Sequence, residues 1–175
     1  MLGSLSAQAV EWTGETGDFL DANNWSDDVP ETSDEALINN GGTAKIADDA
    51  DVLTLRLDRN GGSGVFEQSS GFFTAGGAFI GDNSTGSARI SNGTFEIGND
   101  SIHVGWRPDG IGEMTIDGIE AFIKSGDDFQ LGREGTRTLN FSAGELRAGY
   151  TVIGKYGTGI LEPNGQPVRS RLWGH

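Results

Sequence analysis

Three short segments between Ser87 and Gly105 decide the fold: Ser87–Ser91 (SARIS), Thr94–Gly98 (TFEIG) and Ser101–Gly105 (SIHVG). Within the first two segments apolar and polar residues alternate, as they do in a β-strand that buries one face. Glycine and small polar residues separate the segments, and these residues favour tight turns. Three strands joined by tight corners predict one turn of a parallel β-helix.

The same unit recurs along the chain, and each copy ends in an aliphatic anchor followed by a turn residue. These pairs are Leu57-Asp58, Ile80-Gly81, Val104-Gly105, Leu131-Gly132 and Ile153-Gly154. One unit of this length cannot bury its own apolar face, so successive units must stack. The sequence therefore predicts an all-β fold, a right-handed parallel β-helix (β-solenoid) of about five coils of three short strands over residues 36–165. The side chains predicted to point inward are Ala88, Ile90, Phe95, Ile97, Met114, Ile116, Leu139 and Phe141.

An antiparallel β-sandwich is the alternative all-β fold. Its hairpin turns would lie at dipeptides such as Asn92-Gly93 and Asp109-Gly110. The solenoid is favoured because the apolar ending recurs in register at least four times.

Composition excludes several classes of protein. The 175 residues carry a net charge of −14, which argues against nucleic acid as a partner. The chain has no cysteine, so disulfides and thiolate metal sites are excluded. No apolar run approaches the roughly 18 residues that a membrane-spanning helix requires, so we expect no membrane insertion.

The two ends of the chain depart from the repeat. Residues 10–35 contain Trp12, Phe19 and Trp25 and are predicted to form an N-terminal cap over the first coil. Residues 1–9 end in Ala7-Gln8-Ala9, a small-x-small pattern typical of signal-peptidase sites, and are interpreted as a signal-peptide remnant or a disordered N-terminus. Residues 166–175 are predicted to form an irregular C-terminal tail.

The N-terminal segment also resembles a known group of proteins. The motifs are Glu11-Trp12-Thr13-Gly14, Gly17-Asp18-Phe19, Asp21-Ala22-Asn23-Asn24-Trp25-Ser26, Val29-Pro30 and Ala36-Leu37-Ile38-Asn39. Together with the glycine-cornered coils they resemble secreted bacterial β-helix proteins of the autotransporter-associated and PEP-CTERM-linked type, which have a pectin-lyase-like β-solenoid. This resemblance implies a secreted or cell-surface protein of bacterial origin and implies no particular reaction.

Aromatic and polar residues at outward positions form the candidate binding surface. The second strand of each coil is expected to present Phe72, Glu96, Phe122 and Arg147 in one column, with Phe72 and Phe122 two rungs apart. The third strand presents Phe79, His103 and Gln130, with Tyr150 alongside, and Trp106 lies in the following turn. Aromatic rings beside hydrogen-bonding groups are suited to flat sugar rings. We therefore expect an extracellular module that binds a polysaccharide along an outward strand face.

Evidence for catalysis is weak in the sequence. His103 is the only internal histidine and is expected to be an exposed strand residue. The sequence contains no G-x-S-x-G motif whose serine His103 could activate as a general base. We predict no catalytic residues and a non-catalytic role. One alternative is a structural or adhesive surface module that self-assembles into a homo-oligomer through its ends or a flat face.

A second alternative is a small polysaccharide lyase or glycoside hydrolase that uses paired carboxylates. No cofactor is expected, although calcium is possible. Asp48, Asp49 and Asp51 are weak candidate ligands that lack the spacing of an EF-hand loop.

Overall fold

A computed structural model describes residues 7–163. These residues form parallel sheets that wind into a β-solenoid of about seven turns. Face 1 of the solenoid is a seven-stranded sheet. Its strands are β2 (Thr16–Asp18), β4 (Asn40–Ile46), β6 (Ser63–Gln68), β8 (Thr85–Ile90), β11 (Ile111–Ile116), β14 (Thr136–Phe141) and β17 (Thr158–Pro163).

Faces 2 and 3 belong to one ten-stranded sheet, because β5 (Ala50–Leu57) and β7 (Phe72–Ile80) run along both faces. Face 2 continues with β9 (Thr94–Ile97), β12 (Phe122–Ser125) and β15 (Glu145–Arg147). Face 3 contains β1 (Gln8–Glu11), β3 (Asp34–Ile38), β10 (Ile102–Val104), β13 (Phe129–Leu131) and β16 (Thr151–Ile153). From the fourth turn onward each turn therefore has three strands, as the sequence predicted.

The anchors form a continuous ladder on face 3. Leu57 pairs with Ile80, Ile80 with Val104, Val104 with Leu131, and Leu131 with Ile153. The register predicted from the spacing of the aliphatic endings is therefore confirmed. The first four anchors are almost fully buried, whereas Ile153 in the last described turn is 46% exposed.

The count of about five coils was too low, because the ladder extends further toward the N-terminus. Ile38 pairs with Leu57 as an earlier anchor, although only 19 residues separate them and the residue after Ile38 is asparagine. Trp12 precedes Ile38 in the same ladder, because Glu11 pairs with Leu37 and the Trp12 amide donates to the Leu37 carbonyl. Residues 36–38 lie within the predicted solenoid, but the short spacing and the asparagine corner kept Ile38 from being counted as an anchor, and the turn that contains Trp12 was assigned to the cap.

The first of these turns comes from the segment expected to be a cap. Its strand β1 pairs with β3, and β2 pairs with β4, so both continue the sheets of the solenoid. Trp12, Phe19 and Trp25 are buried, and the Trp25 ring lies 5.0 Å from Trp12 and 4.9 Å from Phe19 between centroids. The predicted boundary between residues 9 and 10 falls inside β1, while the predicted tail at 166–175 lies outside the described residues.

The interior is filled by the alternate residues of each strand. All eight side chains predicted to point inward are buried. The N-terminal half contains an aromatic stack in which the Phe73 and Phe95 rings lie 5.5 Å apart and nearly parallel, with Phe66 4.8 Å from Phe73. Burying a side chain of this size contributes about 1.5–3 kcal/mol, so the stacked columns are the main source of stability.

The corner after each anchor requires a left-handed backbone. Gly81, Gly105, Gly132 and Gly154 all have φ between +67° and +78°, a region that residues with a Cβ rarely occupy. Asp58 takes this conformation without being glycine, with φ +89°. Its buried carboxylate accepts hydrogen bonds from the amides of Asp82 (2.8 Å), Asn83 (3.4 Å) and Ser84 (2.5 Å) in the next turn, and burial raises its pKa. These bonds explain why an aspartate occupies a glycine position.

The antiparallel sandwich is wrong for this chain. Every strand ladder in the described part is parallel, and the single antiparallel contact is an isolated bridge between Trp12 and Trp25. Asn92-Gly93 lies at a corner between β8 and β9, and Asp109-Gly110 between β10 and β11. The described residues contain no helix long and apolar enough to cross a membrane.

Candidate functional site

The outward residues of face 2 form two rows, and the structure corrects the single column expected from the sequence. In the first row Phe72 and Phe122 both pair with Thr94, and Phe122 also pairs with Glu145. In the second row Glu96 pairs with Thr74 and Lys124, and Lys124 pairs with Arg147. Glu96 and Arg147 therefore lie beside the row of aromatic rings, two residues further along each strand, rather than within it.

We call Phe72, Thr94 and Phe122 the face 2 row. The two rings lie two rungs apart, about 9.6 Å at the usual spacing between strands, as the sequence predicted. Phe72 is 59% exposed, whereas Phe122 is half-buried because the Arg147 guanidinium lies over its ring at 5.1 Å. The Thr94 position between them carries a hydroxyl. The row thus combines two apolar rings with a central hydrogen-bonding group.

The second row of face 2 is charged. The Lys124 ammonium contacts the Glu96 carboxylate at 2.5 Å, and the Arg147 guanidinium contacts Glu145 at 2.5 Å. All four side chains retain substantial solvent exposure. Such exposed pairs contribute little to stability, and their polar groups stay accessible beside the rings.

The outward residues of face 3 form a packed cluster rather than an open platform. Phe79, His103 and Gln130 lie in one column, as predicted, and Arg56 precedes them. The His103 ring stacks on Phe79 at 4.8 Å and meets the edge of Trp106 at 3.9 Å. A guanidinium group covers each end of this aromatic cluster. Arg56 lies 4.2 Å from the Phe79 centroid, and Arg133 lies 4.1 Å from the Trp106 centroid.

His103 is consequently buried, and the expectation of an exposed strand histidine was wrong. Only 3% of its surface is exposed, because the aromatic neighbours cover both sides of an outward side chain. Burial lowers the pKa of His103 from 6.5 to about 4, opposed by Asp100, whose carboxylate lies 3.8 Å from Nε2, and assisted by the positive Arg133. The Nδ1 atom has no hydrogen-bond partner. A buried, neutral imidazole of this kind contributes packing rather than proton transfer.

A network of ion pairs runs along face 3 and its corner with face 1 across four turns. Arg56 contacts Glu35 at 3.1 Å and Asp82 at 2.5 Å, and all three side chains are largely buried. Arg59 joins the network by contacting Glu35 at 2.6 Å, and Arg107 joins it by contacting Asp82 at 3.1 Å. Each of these contacts joins residues of different turns, so the network ties successive turns together.

The remaining predicted residues are placed as follows. Gln130 is half-buried in the face 3 column, and Tyr150 is 57% exposed near the corner between faces 2 and 3. The Phe129 amide donates to the Tyr150 carbonyl at 2.8 Å, which places Tyr150 beside Asp128 as expected. Tyr150 is therefore the most accessible predicted residue of face 3.

The structure does not bring the candidate calcium ligands together. Asp48, Asp49 and Asp51 are exposed, and Asp49 accepts a hydrogen bond from the Phe72 amide at 2.8 Å. Within residues 7–163 no group of three or more acidic or histidine side chains has the arrangement of a metal site. Of the three, Asp49 acts as a corner residue whose carboxylate accepts a backbone hydrogen bond from the neighbouring turn.

Sequence reasoning missed three arginines that shape the surface. Arg56 could have been found, because it precedes the anchor Leu57 as Phe79 precedes Ile80. Arg133 could have been found in the same way, because it follows the anchor Leu131 by two residues as Trp106 follows Val104, whereas Arg137 had no comparable signal. Arg137 is 1% exposed and donates to the carbonyls of Gly110, Thr136 and Arg107, at a face 1 position where the neighbouring turns carry Gly112 and Gly159. Burial lowers the pKa of Arg137 to about 10.

This chain matches no protein-family model, no curated protein and no solved structure. The resemblance to secreted bacterial β-helix proteins therefore stays a prediction.

Proposed function

We propose that this protein is an extracellular, non-catalytic β-solenoid module that binds a polysaccharide along face 2. The observation that carries the proposal is the face 2 row, in which Phe72 and Phe122 are aligned two rungs apart with Thr94 between them. Their separation of about 9.6 Å is close to the disaccharide repeat of an extended β-1,4-linked glycan.

The chemistry of the row fits a flat sugar chain. Aromatic rings pack against the C–H faces of sugar rings, while hydroxyl and charged groups beside them form hydrogen bonds with the sugar hydroxyls. Thr94 supplies such a group between the rings, and Glu96 and Lys124 supply others in the neighbouring row. A stiff solenoid holds these groups at fixed spacing, which lowers the entropy cost of binding an extended ligand.

Retention on insoluble polysaccharides tests the proposal. The wild-type protein should sediment with at least one of cellulose, chitin and insoluble xylan, and Phe72→Ala and Phe122→Ala should each reduce the bound fraction severalfold. Ile111→Ala is the matched control, because Ile111 is a 55% exposed apolar residue on face 1. Circular dichroism should show the same β-sheet signal for all four proteins. Equal retention of all four proteins, or no retention of any, would contradict the proposal.

The secreted location belongs to the same proposal. It is supported by the Ala7-Gln8-Ala9 pattern and by the resemblance to secreted β-helix proteins. The right-handed winding is supported by the strong preference of parallel crossover connections for that hand. Fractionation of the native host cells tests the location, and recovery of the protein only in the cytoplasm would refute it.

Self-assembly through its ends or a flat face is a second candidate function, favoured by large apolar side chains that are exposed on the outer faces. Phe72 on face 2 is 59% exposed and Ile111 on face 1 is 55% exposed. Sedimentation velocity between micromolar and millimolar concentrations tests this function, and a monomer throughout would exclude it. The further alternative of a polysaccharide lyase or hydrolase is tested by assaying glycans for new reducing ends or unsaturated products.

A further inference from the structure

A second surface of the solenoid carries cations and aromatic rings at the corner between faces 3 and 1. Trp106, Arg133 and Lys155 each follow their anchor by two residues, and the anchors Val104, Leu131 and Ile153 are in register. The three residues therefore lie on successive turns, about 4.8 Å apart. The Tyr156 amide donates to the Arg133 carbonyl at 2.7 Å, which fixes Tyr156 beside them. We call Trp106, Arg133, Lys155 and Tyr156 the corner patch.

The two cations of the corner patch have no carboxylate partner among the described residues. Every other lysine and arginine there forms a salt bridge within 4.0 Å, except Arg137, which is buried. Arg133 lies 4.1 Å over the Trp106 ring and Lys155 lies 5.5 Å from the Tyr156 centroid. Glu134, the neighbouring acid in the sequence, is exposed and bridges neither cation. The corner patch thus presents positive charge that the protein does not neutralise.

The corner patch lies in the part of the solenoid that carries the lower density of negative charge, so the protein repels an anion least there. Residues 7–103 contain 17 acidic and 4 basic residues, whereas residues 104–163 contain 9 acidic and 6 basic residues. The strongly negative part of the protein therefore lies in the N-terminal turns. At physiological salt charges more than about 8 Å away are largely screened, so the local cations decide what binds at the corner.

We propose that the corner patch binds a carboxylated polysaccharide, a chain that contains uronic acid residues. An arginine can bind a carboxylate through two parallel hydrogen bonds. The Arg133 guanidinium lies 4.1 Å from the Trp106 centroid, and this cation–π contact limits the positions that the guanidinium can take. Tyr156 is 72% exposed and offers a flat face to a sugar ring next to Lys155. Two cations one rung apart, each beside an aromatic ring, match a polymer that repeats both carboxylates and sugar faces.

This site is distinct from the face 2 row and does not depend on it. The face 2 row is tested with insoluble neutral polysaccharides, whereas the corner patch is tested with a soluble acidic one. Loss of either function therefore leaves the other measurable.

The experiment measures binding of the full chain to soluble polygalacturonate by affinity electrophoresis and calorimetry. Wild-type protein should bind polygalacturonate, and it should not bind the same polymer after its carboxyl groups are reduced to alcohols. The double variant Arg133→Gln, Lys155→Gln should lose about tenfold or more in affinity, since each lost contact is a hydrogen bond to a charged group. Dextran sulfate, run in parallel, distinguishes recognition of carboxylates from binding of any polyanion.

The matched control is the double variant Lys45→Gln, Arg89→Gln. It removes the same two charges from face 1, where Lys45 and Arg89 are exposed and paired with Glu67 and Asp117. Its affinity should stay within about twofold of wild type, because screening limits the effect of distant charges. The single variant Lys155→Gln, at an exposed side chain, provides the comparison if the double variant does not fold.

The proposal would be overturned by equal binding of the native and carboxyl-reduced polymers, by equal losses in the two double variants, or by no binding of the wild-type protein. A preference for dextran sulfate over polygalacturonate would also refute it, because the patch would then be a general anion site.

Discussion

Replacing His103 with phenylalanine should make the protein less sensitive to acid. The His103→Phe side chain can keep the stacking on Phe79 at 4.8 Å and the edge contact with Trp106 at 3.9 Å, and it cannot take up a proton. In the wild type, burial lowers the pKa of His103 from 6.5 to about 4. Between these two values the unfolded chain binds a proton that the folded protein does not bind.

The sign and size of the effect follow from that difference. Since the unfolded state binds more protons, the free energy of unfolding falls as the pH falls from 6.5 toward 4. A shift of 2.5 units corresponds to at most about 3.4 kcal/mol, of which about 2 kcal/mol is lost by pH 5 and about 3 kcal/mol by pH 4. The unpartnered Nδ1 atom costs a further ~1–3 kcal/mol at neutral pH, so His103→Phe should also be as stable as wild type or more stable at pH 7.5.

Urea denaturation at pH 7.5, 5.0 and 4.0, followed by circular dichroism, measures the difference between the two proteins. Acidic residues titrate in both proteins, so their effect cancels in that difference. The stability of His103→Phe relative to wild type should increase by about 3 kcal/mol between pH 7.5 and 4.0. Parallel stability curves over this range would show that His103 is accessible to water and that its burial among Phe79 and Trp106 does not govern its protonation.

Two further predictions concern the solenoid itself. Ile80→Ala removes a fully buried anchor between Leu57 and Val104, and it should lower the free energy of unfolding by about 2–5 kcal/mol; Ile119→Ala, at an 87% exposed side chain, should change it by less than about 0.5 kcal/mol, and similar losses for both would contradict the ladder. Asp58→Gly relieves the left-handed backbone and removes the acceptor for the amides of Asp82, Asn83 and Ser84, so stability should fall by about 2 kcal/mol in urea denaturation. An unchanged or higher stability would mean that the carboxylate contributes nothing to the corner.

The repeat of anchors was sufficient to predict the parallel winding, the inward side chains and the pairing of Ile80 with Leu57 and with Val104. The number of turns could not be predicted, because the early turns replace the glycine corner by Asn39 and carry a tryptophan, Trp12, at the anchor position. A search for aliphatic residues before glycine does not detect such turns. Their pairing became visible only when the strands were aligned in space.

The candidate surface was predicted in part. The alignment of Phe72 with Phe122 followed from the repeat, whereas Glu96 and Arg147 were assigned to the wrong row, since each lies two residues further along its strand than the position in register with these rings. A shift of two residues keeps a side chain on the outward face and changes which neighbours it touches. Alternation along the strand could not detect this error.

The sequence alone determined which residues of this protein face inward, because alternation along a strand is a local property with a fixed period of two. The tertiary structure alone decided what the outward residues became. His103 and Tyr150 both lie outside the core, yet one is 3% exposed and the other 57% exposed. His103 is covered by Phe79, which lies 24 positions earlier in the sequence, and by Trp106, which approaches it across a corner. Arginines of neighbouring turns lie in turn over these two rings. Burial of a side chain on an outer face depends on such contacts between turns, and these contacts cannot be predicted from the sequence pattern of a single strand.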